Sequence, residues 1–391
     1  MLKTEYQKRK EEILNKSLES FNIWENEHIA GKFNLVSAGL YNYLPHIDYN
    51  EHEKIFKNIL LHQQLSNLEQ YYSESLDYVS YENLTNDKMW ILKNGPTVIC
   101  TFHTGSYRMI NHFLIKTKIP YTLVIAKSVM KSQGSLFCDL YKQLSNEDIA
   151  GSFGIIDAES SSSGIQMLRE IKKGKSLLLY IDGNTGTGND EKQHCDIRFL
   201  KQRIFARKGV AFLAHVSKVP ILTVACYRKS VDDIRLQFFE PIMPDTYQNR
   251  ETFTTATTQM IYDFAAPIIS RYPEQWEAWL YLHKVAHVQV ISEETKGYKL
   301  THAAQGNTLF KLNLYKFGVF KLAGDAFLFK KCGYLSFPIS KDLYSLLLES
   351  IFCPVDKKEI FDTLFSELYE NGVLIPAEQL CNANIPLQSN E

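Results

Sequence analysis

The sequence predicts an α/β fold in which a central, mostly parallel sheet is flanked by helices. Three observations lead to this prediction. From Pro96 to about Pro241, short runs of β-forming residues alternate with runs of helical apolar spacing. The strand runs, such as "TVICTF" and "SLLLYID", are apolar throughout, which is typical of a sheet covered on both faces. Before them, residues 1–92 are rather polar and follow a helical pattern.

Changes in this pattern also set the predicted domain borders. Residues 1–92 are expected to form a helical N-terminal region that packs on the core, and residues 93–288 are expected to form the α/β domain. Residues 289–305 are polar and predict a linker. A small α+β domain is predicted over residues 306–378, because β-like runs there precede two helical runs. The polar residues 379–391 are predicted to be a frayed tail.

The composition is that of an ordinary globular protein, and it narrows the possible function classes. A net charge of −1 over 391 residues argues against a general nucleic-acid binder, so no nucleic-acid partner is expected. The seven cysteines are scattered without a CxxC pair, which indicates neither a zinc site nor a disulfide framework. This cysteine usage favours a reducing, cytoplasmic compartment.

No targeting or membrane-spanning segment is predicted. The N-terminal stretch "MLKTEYQKRKEEILNK" is charged and lacks the apolar region of a signal peptide. No run of roughly 18 apolar residues occurs, so a transmembrane helix is not expected. Any membrane contact is therefore expected to be peripheral.

His103 is the first candidate catalytic residue. In "TVICTFHTGSYRMINHFL", a β-forming run ends just before His103, and helical apolar spacing begins near Met109. Open α/β sheets place their chemistry at such strand ends. A histidine there can act as a general base, and Gly105 and Ser106 leave room for a substrate. The alternative is a histidine that only makes a structural hydrogen bond.

Asp182 is the second candidate, at the end of another apolar strand. The loop that follows, in "YIDGNTGTGND", could present backbone N–H groups to an anion. It lacks the Lys-Ser/Thr ending of a P-loop and has no GxGxxG before a helix, so a nucleotide site is not expected. The alternative for this loop is a flexible turn.

A basic cluster precedes a helix that is predicted to begin near Lys208. Such a cluster could hold a phosphate-bearing donor, for example a pantetheine thioester, or steady an oxyanion. The alternative is a solvated basic face. Its members are Arg198, Lys201, Arg203, Arg207 and Lys208.

The order of these pieces resembles the lysophospholipid acyltransferase superfamily, and more narrowly the branch of the lipid A lauroyl and myristoyl acyltransferases. That branch has a histidine motif, a strand ending in Asp, an F-G segment before a helix, a VP strand ending near Arg and a closing PEQW motif. The resemblance covers roughly residues 50–288. The matching residues are His103, Asp182, Phe199-Leu200, Val219-Pro220 with Arg228, and Pro273-Glu274-Gln275-Trp276.

The resemblance implies a glycerolipid acyltransferase-like fold and an acyltransferase activity. A fatty acyl group would move from an acyl carrier protein or coenzyme A thioester to a hydroxyl or amine, and no metal or organic cofactor is implied. His103 would deprotonate the acceptor, with Asp182 as the supporting acid. The candidate substrate-binding residues are Gly105, Ser106, Tyr107, Arg108, Arg198, Arg203 and Arg207.

This chain departs from the family pattern at Arg108, where the family has an acid five residues after the histidine. An arginine close to His103 would lower the pKa of the imidazole. Either another acid, such as Asp182 or Asp157, orients the ring, or Arg108 binds an anion, or the site is inactive. The rival functions are accordingly a degenerate protein that binds an acyl carrier or a peptide without turnover, and a thioesterase.

A second departure is the missing N-terminal membrane helix of the lipid A branch, which favours an acceptor reachable from the cytosol. In the C-terminal unit, the β-like run and the segments "GYLSFPISKDLYSLLLESI" and "IFDTLFSELYENGVLIP" resemble PqqD-like winged-helix domains, which bind leader peptides. The resemblance implies a peptide partner and an acceptor on a peptide or natural product. The alternative is an appendage that only packs on the main domain or forms a dimer.

Overall fold

The structure is a computed structural model, and it describes residues 3–18, 21–145, 151–183, 193–244, 249–289 and 309–377. The chain divides into two compact units. Met1–Phe21 and Glu53–His287 form the first unit, and Asn22–His52 and Val288–Glu391 form the second. Residues 22–52 therefore group with the C-terminal part of the chain. The predicted linker at residues 289–305 and the predicted tail lie almost wholly outside the described residues.

The first unit is built on a seven-stranded sheet. Its strands are β1 (Val79–Glu82), β2 (Val98–Thr101), β3 (Tyr121–Ile125), β4 (Phe153–Asp157), β5 (Ser176–Tyr180), β8 (Ile221–Ser230) and β9 (Asp233–Phe238). They lie in the order β1-β9-β8-β2-β5-β3-β4. The five strands from β8 to β4 are parallel, whereas β9 runs antiparallel to β8 and β1 runs parallel to β9. The predicted mostly parallel α/β sheet is confirmed.

Four helices connect the parallel strands, namely α5 (Met109–Lys116), α6 (Lys127–Ser145), α7 (Ser163–Lys172) and α8 (Gly209–Ser217). The first unit also contains α1 (Glu5–Leu18), most of α3 (Tyr49–Glu69), α4 (Asn86–Asn94) and α9 (Arg250–Arg271). The main apolar core lies where α5 and α6 pack on the sheet, around Ile110, Phe113 and Leu123. All four residues of β2 are buried, as the continuous apolar run predicted.

A small antiparallel sheet stands beside the main one and was not predicted. It consists of β6 (His194–Phe199), β7 (Gln202–Arg207) and β10 (Ala286–His287). The basic cluster therefore lies on a hairpin, and the following helix begins at Gly209. Arg198 is exposed between the buried side chains of Ile197 and Phe199, which is the alternation of a half-buried strand.

The second unit combines α2 (Glu27–Tyr43) with the C-terminal elements. These are β11 (Leu309–Leu312), β12 (Phe317–Leu322), β13 (Asp325–Lys330), β14 (Leu335–Ile339), α10 (Lys341–Phe352), β15 (Val355–Asp356), α11 (Asp362–Glu370) and β16 (Leu374–Pro376). They form two three-stranded antiparallel sheets, β15-β11-β16 and β12-β13-β14.

Helix α2 is fastened to this unit by side-chain amides. Asn34 Nδ2 donates to the Val319 carbonyl at 3.0 Å, and Asn42 Nδ2 donates to the Lys331 carbonyl at 2.7 Å. Gly318 permits this approach, because a Cβ there would meet the Asn34 side chain at 2.3 Å. Within the described ranges, no helix has the length and apolar character needed to cross a membrane.

Candidate active site

His103 lies two residues beyond β2, in the turn that leads to α5, as the sequence predicts. The turn depends on Gly105, whose φ is +52°. A Cβ at Gly105 would lie 2.8 Å from the Tyr227 Cα, so only glycine lets the turn pack this closely on β8. The space that Gly105 was predicted to leave for a substrate is thus occupied by the protein's own backbone.

His103 and Asp182 form a hydrogen-bonded pair. The His103 Nδ1 atom lies 2.7 Å from Asp182 Oδ1, and the His103 backbone N–H donates to Asp182 Oδ2 at 2.9 Å. The two residues are neighbours because β2 and β5 are adjacent parallel strands, with Thr101 opposite Tyr180. A carboxylate at Nδ1 holds the proton on that nitrogen and leaves Nε2 available for proton transfer.

Asp182 is held in place by a third donor. The indole Nε1–H of Trp276 donates to Asp182 Oδ2 at 2.7 Å, and the Asp182 side chain is only 2 % exposed. Asp157, the other acid considered for this role, ends β4, and β5 and β3 lie between that strand and β2. The geometry therefore places Asp182, and not Asp157, beside the imidazole.

The surroundings of His103 raise the pKa of its imidazole above the usual value. Burial lowers this pKa, but the charge and hydrogen bond of Asp182, helped by the charge of Glu277, outweigh burial. Arg108 lowers it, as the sequence predicted for a nearby arginine, and its effect is the smallest of those named here. Two aromatic rings enclose the imidazole, with Tyr107 at 4.8 Å and Tyr180 at 4.9 Å between ring centres.

The PEQW segment clamps the His103 turn through backbone hydrogen bonds. The Gly105 N–H donates to the Gln275 carbonyl at 3.0 Å, and the Glu277 N–H donates to the His103 carbonyl at 2.9 Å. The Gln275 side chain bonds both the N–H and the carbonyl of Arg228 on β8. This motif therefore positions the His103 turn.

Ser106 belongs to a buried network and does not line the cavity described below. Its hydroxyl donates to Glu69 Oε2 at 2.5 Å and accepts a bond from Arg228. Glu69 and Arg228 form an ion pair whose side chains are 0 % and 1 % exposed. The predicted substrate-binding role of Ser106 is thus not supported by its position. Nothing local in the sequence signals Glu69, which lies 37 residues before Ser106.

A cavity of about 990 Å³ opens beside His103. Its lining is mainly apolar and is supplied by β3, β5, α6, α7 and α8, together with the aromatic rings of Tyr107, Tyr180 and Tyr281. The apolar side chains include Val124, Ile125, Val129, Phe137, Ile165, Leu168, Leu179 and Leu213. This volume lies at the upper end of the range of about 300–1,000 Å³ for small-molecule sites.

A second cavity, of about 760 Å³, lies on the other side of the pair and is lined by Asp182, His194 and Asp196. Ile181, Gly183, Arg207 and Tyr281 line both cavities. The His103–Asp182 pair therefore stands where the two cavities meet. Residues 184–190 of the glycine-rich loop, predicted to face an anion, lie outside the described residues.

Only one of the three predicted hairpin arginines lines the main cavity. Arg207 does so, at the end of β7. Arg203 Nε instead donates to Asp196 at 2.8 Å, and Arg198 is exposed. Lys208 of the predicted basic cluster and Arg250, which was not predicted, also line the cavity, and Lys208 pairs with Glu251 at 2.5 Å.

Arg108 lines the main cavity, as its predicted substrate-binding role requires. Its guanidinium lies 4.5 Å from the centre of the Tyr107 ring, and Nη1 donates to the Ser66 hydroxyl at 3.2 Å. Glu277 lines the same cavity, and its carboxylate accepts a bond from Gln63 at 3.2 Å. Sequence reasoning missed Glu277, although it directly follows PEQW.

No protein-family model and no curated protein sequence matches this chain. Among solved structures, the 1-acyl-sn-glycerophosphate (LPA) acyltransferase PlsC from Thermotoga maritima aligns with a TM-score of 0.33 and 11% sequence identity. The alignment covers 63% of this chain and 97% of that chain.

Proposed function

We propose that the protein is an acyltransferase that moves an acyl group from a thioester to a hydroxyl or amine, with His103 as the general base. The observation that carries the proposal is the His103–Asp182 pair at the wall of a large apolar cavity. A base held by a carboxylate and open to an apolar chamber fits the transfer of a long acyl chain.

The chemistry follows from the positions of the groups. His103 Nε2 takes a proton from the acceptor, which attacks the thioester carbonyl, while Asp182 stabilises the imidazolium that forms. The imidazolium then returns the proton to the leaving thiolate. Tyr281 lines the cavity, and its hydroxyl lies 3.5 Å from His103 Nδ1. Burial raises the pKa of this phenol well above its usual value, so it stays protonated and can donate to the oxyanion.

The donor is proposed to be an acyl carrier protein or coenzyme A thioester. Both carry phosphate, and Arg207, Lys208 and Arg250 line the cavity from the β7–α8 turn and the start of α9. Guanidinium and ammonium groups are the usual partners of phosphate oxygens. The acyl chain would occupy the apolar part of the cavity between α6 and α7.

We also propose that a peptide partner binds the second unit, at the edge of β14. This strand pairs with β13 on one side, and its residues Leu335–Pro338 are exposed. An extended peptide can add to such an edge. Hydrogen exchange of the β14 backbone, measured with and without candidate peptides, tests this: peptide binding is expected to slow it, and unchanged exchange with a bound peptide contradicts it.

The scattered free thiols support a cytoplasmic location with at most peripheral membrane contact, which cell fractionation tests.

The deciding experiment uses intact-mass spectrometry. The full chain is incubated with coenzyme A and acyl-carrier thioesters of several chain lengths and with amine, hydroxyl and peptide acceptors. Acyl mass is expected on an acceptor, with a loss of about 10³-fold in His103→Ala, within the 10²–10⁴-fold range of general-base catalysis. His287→Ala is the matched control, because His287 lines neither cavity.

Two other outcomes would contradict the proposal. Free fatty acid without acylated acceptor would assign the protein as a thioesterase. Bound thioester without any turnover would assign it as a non-catalytic acyl-binding protein.

A further inference from the structure

Two side chains of opposite charge line the main cavity beside His103 and have no ionic partner among the described residues. Arg108 is half-buried, and its described polar side-chain contacts are the Ser66 hydroxyl and the Tyr107 ring. Glu277 is half-buried too, and its carboxylate bonds only Gln63 among the described residues. Half-buried charges without an ionic partner are costly, which suggests that a ligand completes them.

Both charges line the same cavity as the base. The centre of the Tyr107 ring lies 4.8 Å from the centre of the imidazole and 4.5 Å from the Arg108 guanidinium. Glu277 is joined to His103 by a backbone bond of 2.9 Å. Arg108 and Glu277 influence each other electrostatically without forming a direct ion pair. The cavity therefore carries a positive side chain, a negative side chain and a base in its lining.

We propose that the acceptor is a free α-amino acid, whose carboxylate pairs with Arg108 and whose amino group lies between Glu277 and His103. This proposal rests on the proposed acyltransferase function and specifies its acceptor. A zwitterion offers a carboxylate to Arg108 and an ammonium group to Glu277 at the same time. An anionic lysolipid would satisfy Arg108 but leave Glu277 without a cation, and a neutral alcohol would satisfy neither.

The groups present can move every proton that the reaction requires. The acceptor ammonium first gives one proton to the Glu277 carboxylate, and the neutral amine attacks the thioester carbonyl. Its second proton passes to His103 Nε2 as the C–N bond forms, and then to the thiolate as the C–S bond breaks. The products are an N-acyl amino acid and a thiol, and Glu277 returns one proton to solvent. Burial raises the pKa of the Glu277 carboxyl, which suits it to accept a proton.

The test compares matched acceptors on the intact chain. Lauroyl coenzyme A is supplied with an equimolar mixture of the twenty amino acids, with their methyl esters, or with the corresponding 2-hydroxy acids, and products are measured by mass spectrometry. The amino acids are expected to react at least tenfold faster than the esters, because a charge-assisted contact to Arg108 contributes about 10- to 100-fold in binding.

Variants test the roles of Arg108 and Glu277 separately. Arg108→Gln is expected to raise KM for amino acids about 10- to 100-fold while changing the reaction of esters less than threefold, and Arg108→Lys to retain part of the preference. Glu277→Gln is expected to slow transfer to amino acids more than transfer to 2-hydroxy acids. Glu74→Gln is the control, because Glu74 is exposed and lines neither cavity.

The possible failures are distinguishable. Equal transfer to amino acids, esters and hydroxy acids would overturn the amino-acid acceptor and leave the acyltransferase standing, as would an Arg108→Gln variant that loses activity equally on all three. No transfer to these three acceptor classes would overturn the amino-acid acceptor, and no transfer to the wider acceptor panel described above would overturn both proposals.

Discussion

The two units bury positive charge in different ways. In the first unit, the Arg228 guanidinium is buried against the Glu69 carboxylate, which also accepts the Ser106 hydroxyl. In the second unit, the buried Lys331 ammonium has no carboxylate partner among the described residues. Its Nζ donates to the Ser37 hydroxyl at 2.7 Å and to the Leu314 carbonyl at 2.5 Å.

The difference appears in proton affinity. Burial lowers the pKa of Lys331 well below its usual value, because no carboxylate offsets the lost hydration. His103, held by Asp182, has its pKa raised despite the opposing effect of burial. A buried cation thus keeps its proton when a carboxylate contacts it and gives it up more readily when only neutral dipoles do.

The largest effect on stability is expected from breaking the buried ion pair of Glu69 and Arg228. Glu69→Gln leaves the Arg228 charge buried without a counter-charge, and breaking a buried pair in this way costs about 3–5 kcal/mol. Urea unfolding measures the loss. The double change Glu69→Met with Arg228→Met is expected to recover much of it, because no uncompensated charge remains. A single variant within about 1 kcal/mol of the parent would show that the pair is not buried as described.

The second prediction concerns Lys331, which has no carboxylate partner among the described residues. Because the folded pKa of Lys331 lies below the unfolded value of about 10.4, the unfolded state binds more protons between these two values. The free energy of unfolding should therefore rise with pH in this window, by at most about 1.4 kcal/mol per pH unit. Below the window Lys331 is charged in both states, and its burial destabilises the folded state most.

Lys331→Met is expected to remove this slope. The free energy of unfolding, measured from pH 6 to pH 10 in both proteins, checks it. Lys330→Met, which changes the preceding and only half-buried lysine, is the control and should keep the slope. Parallel curves for the parent and Lys331→Met would contradict the assignment of an unpaired buried lysine.

The smallest expected effect tests the comparison at the His103–Asp182 pair. Asp182→Asn is expected to lower the pKa of His103, because burial and Arg108 then act without the neighbouring carboxylate. Histidine NMR titration of both proteins measures the shift. Asp157→Asn, at the distant strand β4, should leave the titration unchanged. A His103 pKa that is the same in the parent and in Asp182→Asn would refute the role assigned to Asp182.

The sequence predicted the strands that are continuous apolar runs and the helices whose apolar residues recur with a clear helical period. The buried run of β2 and the helical spacing of α5 both appear where they were expected. The hairpin of β6 and β7 was missed, because its basic residues were interpreted as the approach to a helix. Strand β4 was missed as well, since the short run "FGIID" lies between stretches with no clear period.

By itself, the sequence determined that His103 and Asp182 each follow an apolar strand. Their meeting was decided by the strand order, which makes β2 and β5 neighbours across 79 residues of chain. The same holds for Glu277 at the cavity and for Lys331 against Ser37, whose partners are remote in sequence. Local patterns record which face of an element is buried. Which charges meet, and so which keep their protons, depends on how those faces pack together.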